Sequence, residues 1–437
     1  MQPKLLLISL PQRGWDGVIR PLGFPSHGIG YLSAYLKKQM DIAIYGLDTS
    51  LDFANVEYNV KQEIAKLTPD LIGITVYSPL ADEAEKVIEI IKSTTSIPIV
   101  LGGPHISTTG VEFLQKTKVE YGVVKDGERP LHELVKSLFV TEDIASIKNI
   151  PGLIYKSESD KYILNPNTNL ILGLDEIPFP DFSLFELDNY VFWKNKAYGL
   201  LSSRGCPYGC TYCAAPHVTG RKFRFRSPEN VVAEIEHYYH KFGFRRFGIL
   251  DDAFNINLKR AKEVIRLIIK KDLKIKWDLG NGIRANIVDL EFFQLLKQSG
   301  CDFVGIGMES GNAEILRSIK KGLKKEQLLT ALDYANQCKV GTAVNFIIGH
   351  PEETYATALE TLEFADKIPA SYVNVYGLLP MKGTVAYEQL KEKEAKGEAT
   401  FYIDYEDYVT SKSAQATTPI FATKDFTVEQ RKVLLKN

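Results

Sequence analysis

Over the first 140 residues, short runs of apolar and β-branched residues alternate with segments whose apolar positions recur at helical spacing. The runs are KLLLISL (4–10), IAIYGLD (42–48), LIGITVYS (71–78), PIVLGGP (98–104) and YGVVKDG (121–127), and GYLSAYLKKQ, NVKQEIAKL and LADEAEKVIEIIKS lie between them. Near-continuous apolar strands separated by amphipathic helices predict a parallel, doubly wound α/β sheet with helices on both faces. Ligands of such a sheet bind over the carboxyl ends of its strands. That directs attention to the loops Pro11 to Gly30, Tyr77 to Leu80, Gly102 to Ser107, and Asp126 to Arg129.

The alternation lapses over 141–197. GLIYKSESDKYILNPN reads as a hairpin, and the prolines of LDEIPFPDFSLF prevent a regular helix. Its aromatic content is too high for a disordered tether, so it is expected to be a packed linker. From 198 to 385 six apolar runs return: YGLLSSRG, FRRFGILDD, KWDLGNGIRA, FVGIGMESG, TAVNFIIGHPEE and SYVNVYGLLP. With helices between them they predict a partial (β/α)6 TIM-type barrel, with chemistry at the carboxyl ends of its strands. Residues 386–437 are charged and mixed, and a short C-terminal helical cap or tail is expected there.

A chain of 437 residues has room for two or three domains. Its 53 basic and 54 acidic residues give a net charge of -1, which offers no electrostatic case for nucleic acid or for an anionic membrane surface. No apolar run approaches the roughly 20 residues of a membrane helix, and KLLLISL is expected to be a first strand rather than a signal segment. Five cysteines are too few for a disulfide scaffold in a chain of this size and suit a reducing cytoplasm. A monomer is expected.

Three of those cysteines, Cys206, Cys210 and Cys213, crowd into SSRGCPYGCTYCAAP directly after the first barrel strand. A structural zinc site wants four closed ligands, commonly as two Cys-x-x-Cys pairs, and no second pair follows. Cys301 and Cys338 stand singly and read as small buried hydrophobes. Thiolates also hold iron-sulfur clusters, and a cubane on three cysteines leaves one iron with a vacant position. An incomplete zinc site and an open cluster both remain in view on spacing alone.

Cys-x-x-x-Cys-x-x-Cys with an aromatic residue before the last cysteine resembles the signature of the radical S-adenosylmethionine enzymes, and Tyr212 fills the aromatic slot. The resemblance implies that Cys206, Cys210 and Cys213 hold a 4Fe-4S cluster whose open iron is chelated by S-adenosylmethionine. It also implies an electron donor such as flavodoxin or ferredoxin. Further strand ends fall in that family's order: Asp251 beside Asp252 in GILDDAF, Arg284 in GNGIRAN, Glu309 and Ser310 in GIGMESG, and Gly349 in FIIGHPEET. The resemblance assigns these, with Tyr212, to S-adenosylmethionine: Arg284 toward its carboxylate, Glu309 toward the ribose, and Gly349 beside the adenine.

The N-terminal sheet resembles the Rossmann-like cobalamin-binding domain of the cobalamin-dependent radical S-adenosylmethionine enzymes. FPSHGIGYLSAYLKK, GITVYSP, VLGGPHIST, VVKDGERPLHELV and LDEIPFPD carry the likeness. It implies cobalamin contacts at His27, Gly28, Ser78, Gly102, Gly103, Pro104, Ser107, Gly127 and Glu128. One departure stands out. Cobalamin proteins that replace the lower base use Asp-x-His-x-x-Gly, and here Pro25 occupies the aspartate position. Without a carboxylate to orient the imidazole, His27 is expected at the corrin edge rather than on cobalt.

The resemblance implies a cobalamin-dependent methyltransferase that moves a methyl group from S-adenosylmethionine to an unactivated carbon, or a phosphinate, of a small-molecule or peptide substrate. Two alternatives stay beside it. One is a cyclase or ring-rearranging enzyme using both cofactors without methyl transfer, and the other is a non-catalytic cobalamin sensor with a structural cluster.

Overall fold

The structure is a computed structural model that describes residues 2–13, 19–20, 23–166, 170–410 and 419–436. Two compact units divide it, one built mainly on residues up to Lys194 and the other mainly on residues from Asn195 onward.

In the first unit β1 (Lys4–Ser9), β2 (Ala43–Asp48), β3 (Leu71–Thr75), β4 (Ile99–Gly102) and β5 (Tyr121–Val123) form a parallel sheet in the order β2-β1-β3-β4-β5. Leu5, Leu6, Leu7 and Ile8 of β1 are all buried, since both faces of the sheet are covered by helices. These include His27–Gln39, Ala81–Thr94, Pro104–Thr117 and Glu128–Phe139. Leu5 pairs with Ile44 on one side and Leu71 on the other, so strand order reverses at β1 and opens a crevice over the ends of β1 and β3.

The sheet continues into the expected packed linker. β6 (Leu153–Lys156) pairs antiparallel with β5, placing Val123 opposite Leu153, and β7 (Tyr162–Leu164) completes the predicted hairpin on the sheet edge. The rest of the expected linker is also fixed to this unit. Tyr190 is wholly buried and donates to Asp48 Oδ2 at 2.7 Å. Asp181 accepts from Ser33 at 2.9 Å and Lys37 at 2.7 Å, and its backbone N–H donates to Gly30. Burial alone would raise the Asp181 pKa, but hydrogen bonds from Lys37, Ser183 and Ser33 outweigh it and hold the carboxyl at about 2. The prolines and aromatics of 177–193 thus form a skin over the helix His27–Gln39 rather than a tether.

In the second unit β8 (Ala197–Leu200), β9 (Arg246–Ile249), β10 (Lys276–Ile283), β11 (Cys301–Glu309), β12 (Gly341–Ile348) and β13 (Tyr372–Gly377) run parallel in chain order. Helices Pro228–Phe242, Leu258–Lys270, Leu290–Gln298, Lys325–Gln337 and Tyr355–Lys367 separate them. Among the described residues β8 and β13 do not pair, which leaves the expected six-stranded barrel unclosed. Cys301 is fully buried with its thiol toward Phe303 O, and Cys338 ends the helix Lys325–Gln337.

The C-terminal stretch is more than the expected helical cap. Between helices Val385–Ala395 and Val428–Lys436, β14 (Ala399–Phe401) and β15 (Phe421–Thr423) pair antiparallel. Phe426 and Leu434 pack with Ile348 and Ala358, which makes the last helix part of the core of this unit.

Candidate active site

The cysteine loop leaves β8 under tight control. Ser202 and Ser203 each donate a backbone N–H and a hydroxyl to Asp251 at the end of β9, at 2.6 to 3.0 Å. Arg260 adds a bond to Ser202 O at 2.7 Å. Gly205 then adopts φ +91°, where a Cβ would lie 2.3 Å from Lys222 O, so only glycine fits. Cys206 N donates to Gly220 O at 3.0 Å, and Thr211 N donates to Ile319 O at 3.0 Å. The loop is anchored at its start and its middle before any ligand is considered.

Cys206, Cys210 and Cys213 are half-buried and unpaired. Burial pushes the Cys213 thiol up to about 11 and also raises Cys206, and the neighbouring thiols add to the effect, so the three lie within electrostatic reach of one another. Thiols that resist ionisation in their own surroundings become thiolates only beside a compensating cation. A single tetrahedral zinc would bring its sulfurs within roughly 4 Å of each other. Among the described residues no group of three or more His, Cys, Asp or Glu side chains is arranged to hold a metal ion. A cubane instead takes its thiolates on separate irons, and three free thiols on one loop can supply three of them.

Around the loop the strand ends supply polar groups. Glu309 ends β11 at a bulge with φ +74°, a conformation that costs a non-glycine residue on the order of 1–3 kcal/mol. A Cβ on Gly307 would lie 2.2 Å from Glu309 Oε1, so that glycine makes room for the carboxylate. Lys321, which sequence reasoning missed, donates to Glu309 Oε1 at 2.8 Å and to the Tyr212 hydroxyl at 3.2 Å. Burial, with the Glu309 charge added, holds the Tyr212 phenol well above its ordinary pKa, so it stays protonated.

Arg284 lies against Tyr208 of the cysteine loop, its guanidinium carbon 3.4 Å from the ring centroid, and donates to Lys321 O at 2.7 Å. The Asn255 amide brackets the Arg284 backbone, accepting from its N–H at 2.8 Å and donating to its C=O at 2.9 Å. Tyr208 fills an unspecified position inside the cysteine motif, and Asn255 and Lys321 lie outside the quoted motifs.

Two residues assigned to S-adenosylmethionine turn inward instead. Asp251 is 1% exposed and committed to Ser202 and Ser203, and burial raises its pKa. It positions the loop, while Asp252 is the carboxylate left exposed and felt by Cys206 and Cys213. Ser310 bonds Thr361 Oγ1 at 3.0 Å and accepts from Asn312 N, so it fixes the turn after Glu309. Gly349 follows β12 with φ +106°, presenting backbone at a strand end.

In the first unit most of the predicted contacts gather after β3, β4 and β5, and His27 and Gly28 open the helix that follows β1. Gly103 adopts φ +99° with Val76 O only 2.8 Å from where a Cβ would stand, and Gly102 has no atom within 4 Å of that position. His105, overlooked in the sequence, bonds Ser78 Oγ at 3.1 Å and Thr109 Oγ1 at 3.2 Å, joining the turn after β3 to the start of the helix Pro104–Thr117. Ser107 donates to Gly103 O and accepts from Lys125 N at 2.9 Å. Pro104 and Glu128 begin helices, and Gly127 abuts Leu32. His27 stacks on Phe24 at 5.1 Å and meets Phe182 edge-on at 5.5 Å, while Gly28 is exposed. Open space over Gly102, on a floor of small residues, fits a flat macrocycle.

Comparison with known proteins agrees with both halves. The radical SAM superfamily profile matches residues 200–365 and the B12 binding domain profile matches residues 20–135. An uncharacterized methyltransferase of Pyrococcus horikoshii is 30% identical over 443 residues, covering 99% of this chain and 91% of the relative. An anaerobic magnesium-protoporphyrin IX monomethyl ester cyclase of Rubrivivax gelatinosus is 27% identical, covering 85% of this chain and 67% of the cyclase. In fold, the chain is similar to the radical S-adenosylmethionine methyltransferase TsrM from Kitasatospora setae, solved with cobalamin and a 4Fe-4S cluster bound. There the TM-score is 0.80 at 21% identity, covering 92% of this chain and 78% of that one.

Proposed function

The chain belongs to the radical S-adenosylmethionine superfamily, in the branch that contains a B12 binding domain, and on that premise we propose that it is a cobalamin-dependent methyltransferase. The observation that supports this most is the presence, in one chain, of a three-thiol loop at a barrel strand end and a glycine-floored strand end beside the switch point of a doubly wound sheet. Cys206, Cys210 and Cys213 hold the 4Fe-4S cluster. Tyr212, Arg284, Glu309 and Gly349 serve S-adenosylmethionine, with Asp251 and Ser310 acting through the backbone they fix. His27, Gly28, Ser78, Gly102, Gly103, Pro104, Ser107, Gly127 and Glu128 border the cobalamin. When bound, these groups supply methyl transfer at a C–H bond, in which two S-adenosylmethionine and two electrons give a C–CH3 bond, S-adenosylhomocysteine, methionine and 5'-deoxyadenosine.

The chain's own residues orient and insulate. Lys321 pairs with Glu309 at 2.8 Å in a nearly buried place and fixes an acceptor suited to hydroxyl donors. The buried Tyr212 phenol stays protonated beside it and holds the cysteine loop to that pair. We assign the electrons to a donor of the flavodoxin or ferredoxin class and the substrate to small molecules or peptides, with the protein a cytoplasmic monomer. No helix among the described residues is long and apolar enough to cross a membrane.

The test is anaerobic incubation of reconstituted protein with S-adenosylmethionine, reductant and candidate substrates. Methyl transfer gives S-adenosylhomocysteine together with 5'-deoxyadenosine. The similarity to the Rubrivivax cyclase favours one other reading, cyclisation, which gives 5'-deoxyadenosine without S-adenosylhomocysteine. Absence of both products sinks the enzymatic assignment.

A further inference from the structure

The C-terminal helix Val428–Lys436 buries a cation against the turn that follows β12. Arg431 is 3% exposed; its Nη1 donates to Gly349 O at 3.4 Å, and its Nε donates to Phe426 O at 3.1 Å. The guanidinium lies 4.3 Å from the Phe421 ring centroid and 4.6 Å from that of Phe426. From the other side Glu353 Oε2 accepts from Gly349 N at 2.5 Å and from His350 N at 3.3 Å. One turn is therefore gripped at its carbonyl by an arginine 82 residues away and at two of its amides by a buried carboxylate.

Position 349 answers to this arrangement. Its φ of +106° asks for glycine, and a Cβ there would stand 2.5 Å from Arg431 Nη1. The next residue, His350, is fully buried and its ring packs on Tyr212 at 5.6 Å, so the turn is continuous with the cysteine loop. Burying a guanidinium is expensive, and replacing it with an apolar side chain is often neutral for stability. Packing alone does not call for a cation here. What the guanidinium adds is a fixed donor on the Gly349 carbonyl and a charge near Glu353; burial pushes Glu353 up to about 7 and Arg431 down to about 10, and each charge partly offsets the other's shift.

We propose that Arg431 is a positioning residue for the S-adenosylmethionine site, acting through the Gly349 carbonyl to hold the 349–353 turn in its binding conformation. The proposal rests on the reading of the Gly349 turn as a contact of S-adenosylmethionine.

The experiment compares the full chain with R431Q, R431K and V433A, the last altering an exposed residue of the same helix. S-adenosylmethionine binding to the cluster-loaded protein is measured by calorimetry, and amide exchange of the 349–354 peptide is measured without added ligand. R431Q should weaken binding by about tenfold, the scale of one buried hydrogen bond from a charged donor, with faster exchange at 349–354 and unchanged exchange in β10 and β11. R431K keeps the charge without the fork and should lose less, and V433A should match the natural protein. If R431Q fails to fold, R431K decides alone. Binding within twofold of the natural protein in R431Q, or in R431K when it stands alone, overturns the positioning role. If the natural protein itself binds no S-adenosylmethionine, the functional reading has failed separately. Exchange then decides, and unchanged exchange at 349–354 overturns the role.

Discussion

Lys321 Nζ stands 2.8 Å from Glu309 Oε1 and 3.2 Å from the Tyr212 hydroxyl, so one nearly buried cation joins the end of β11 to the cysteine loop. Removing one partner of such a pair leaves an uncompensated charge, at a cost of about 3–5 kcal/mol when burial is complete. K321M should lower unfolding stability by about 3 kcal/mol in anaerobic denaturant titrations. E309Q in the same background should recover part of that loss, because the stranded carboxylate is gone. Additive losses in the double variant would show that the two side chains do not interact.

Replacing Cys206, Cys210 and Cys213 together with Ala should abolish iron binding and 5'-deoxyadenosine formation. The backbone anchors at Gly205, Cys206 and Thr211 do not depend on the thiols. Unfolding of the metal-free variant should therefore match that of the metal-free natural protein. Iron retained after reconstitution sinks the cluster assignment.

Gly102 and Gly103 should respond in opposite ways. At Gly103 a methyl group meets Val76 O at 2.8 Å in a left-handed backbone, so G103A should cost at least about 2 kcal/mol of stability. At Gly102 nothing lies within 4 Å, so G102A should leave the unfolding midpoint within about 0.5 kcal/mol of the natural protein. Cobalamin binding, followed by its visible absorption on gel filtration, should nevertheless weaken in G102A. Full-strength binding there would place the corrin elsewhere.

Asp181 gives the structure a pH signature. Its carboxyl titrates at about 2 when folded and near 3.9 in an unfolded chain. A depressed folded pKa contributes stability that is present above the unfolded value and is lost as pH falls toward the folded one. D181N should therefore cost about 1 kcal/mol at pH 7, discounted for partial exposure. Its stability curve should converge with that of the natural protein between about pH 4 and pH 2. A deficit independent of pH would assign Asp181 a packing role instead of an ionic one.

The two alternating patterns, the order of their strands and the clustering of the thiols were legible in the chain because each is local. Apolar period, strand length and an eight-residue motif need no knowledge of what lies across the fold. Where 141–197 docks was less legible, because the hairpin Leu153–Leu164 pairs with β5 through backbone bonds that leave no compositional trace. The resemblance assigns Asp251 and Ser310 to S-adenosylmethionine from their places at strand ends. Their side chains point back to Ser202, Ser203 and Thr361, and rotamer direction is decided by neighbours rather than by sequence.

By itself the sequence determined a doubly wound domain, an incomplete barrel and three cysteines spaced for an open cluster, since each follows from short-range periodicity and chemistry. Tertiary structure alone decided which charges meet. Lys321 reaches Glu309 across 12 residues and Arg431 reaches Gly349 across 82, and only the folded chain brings such distant positions into hydrogen-bond range. The cofactor chemistry was written locally, while the residues that hold its loops in place were scattered along the chain until folding gathered them.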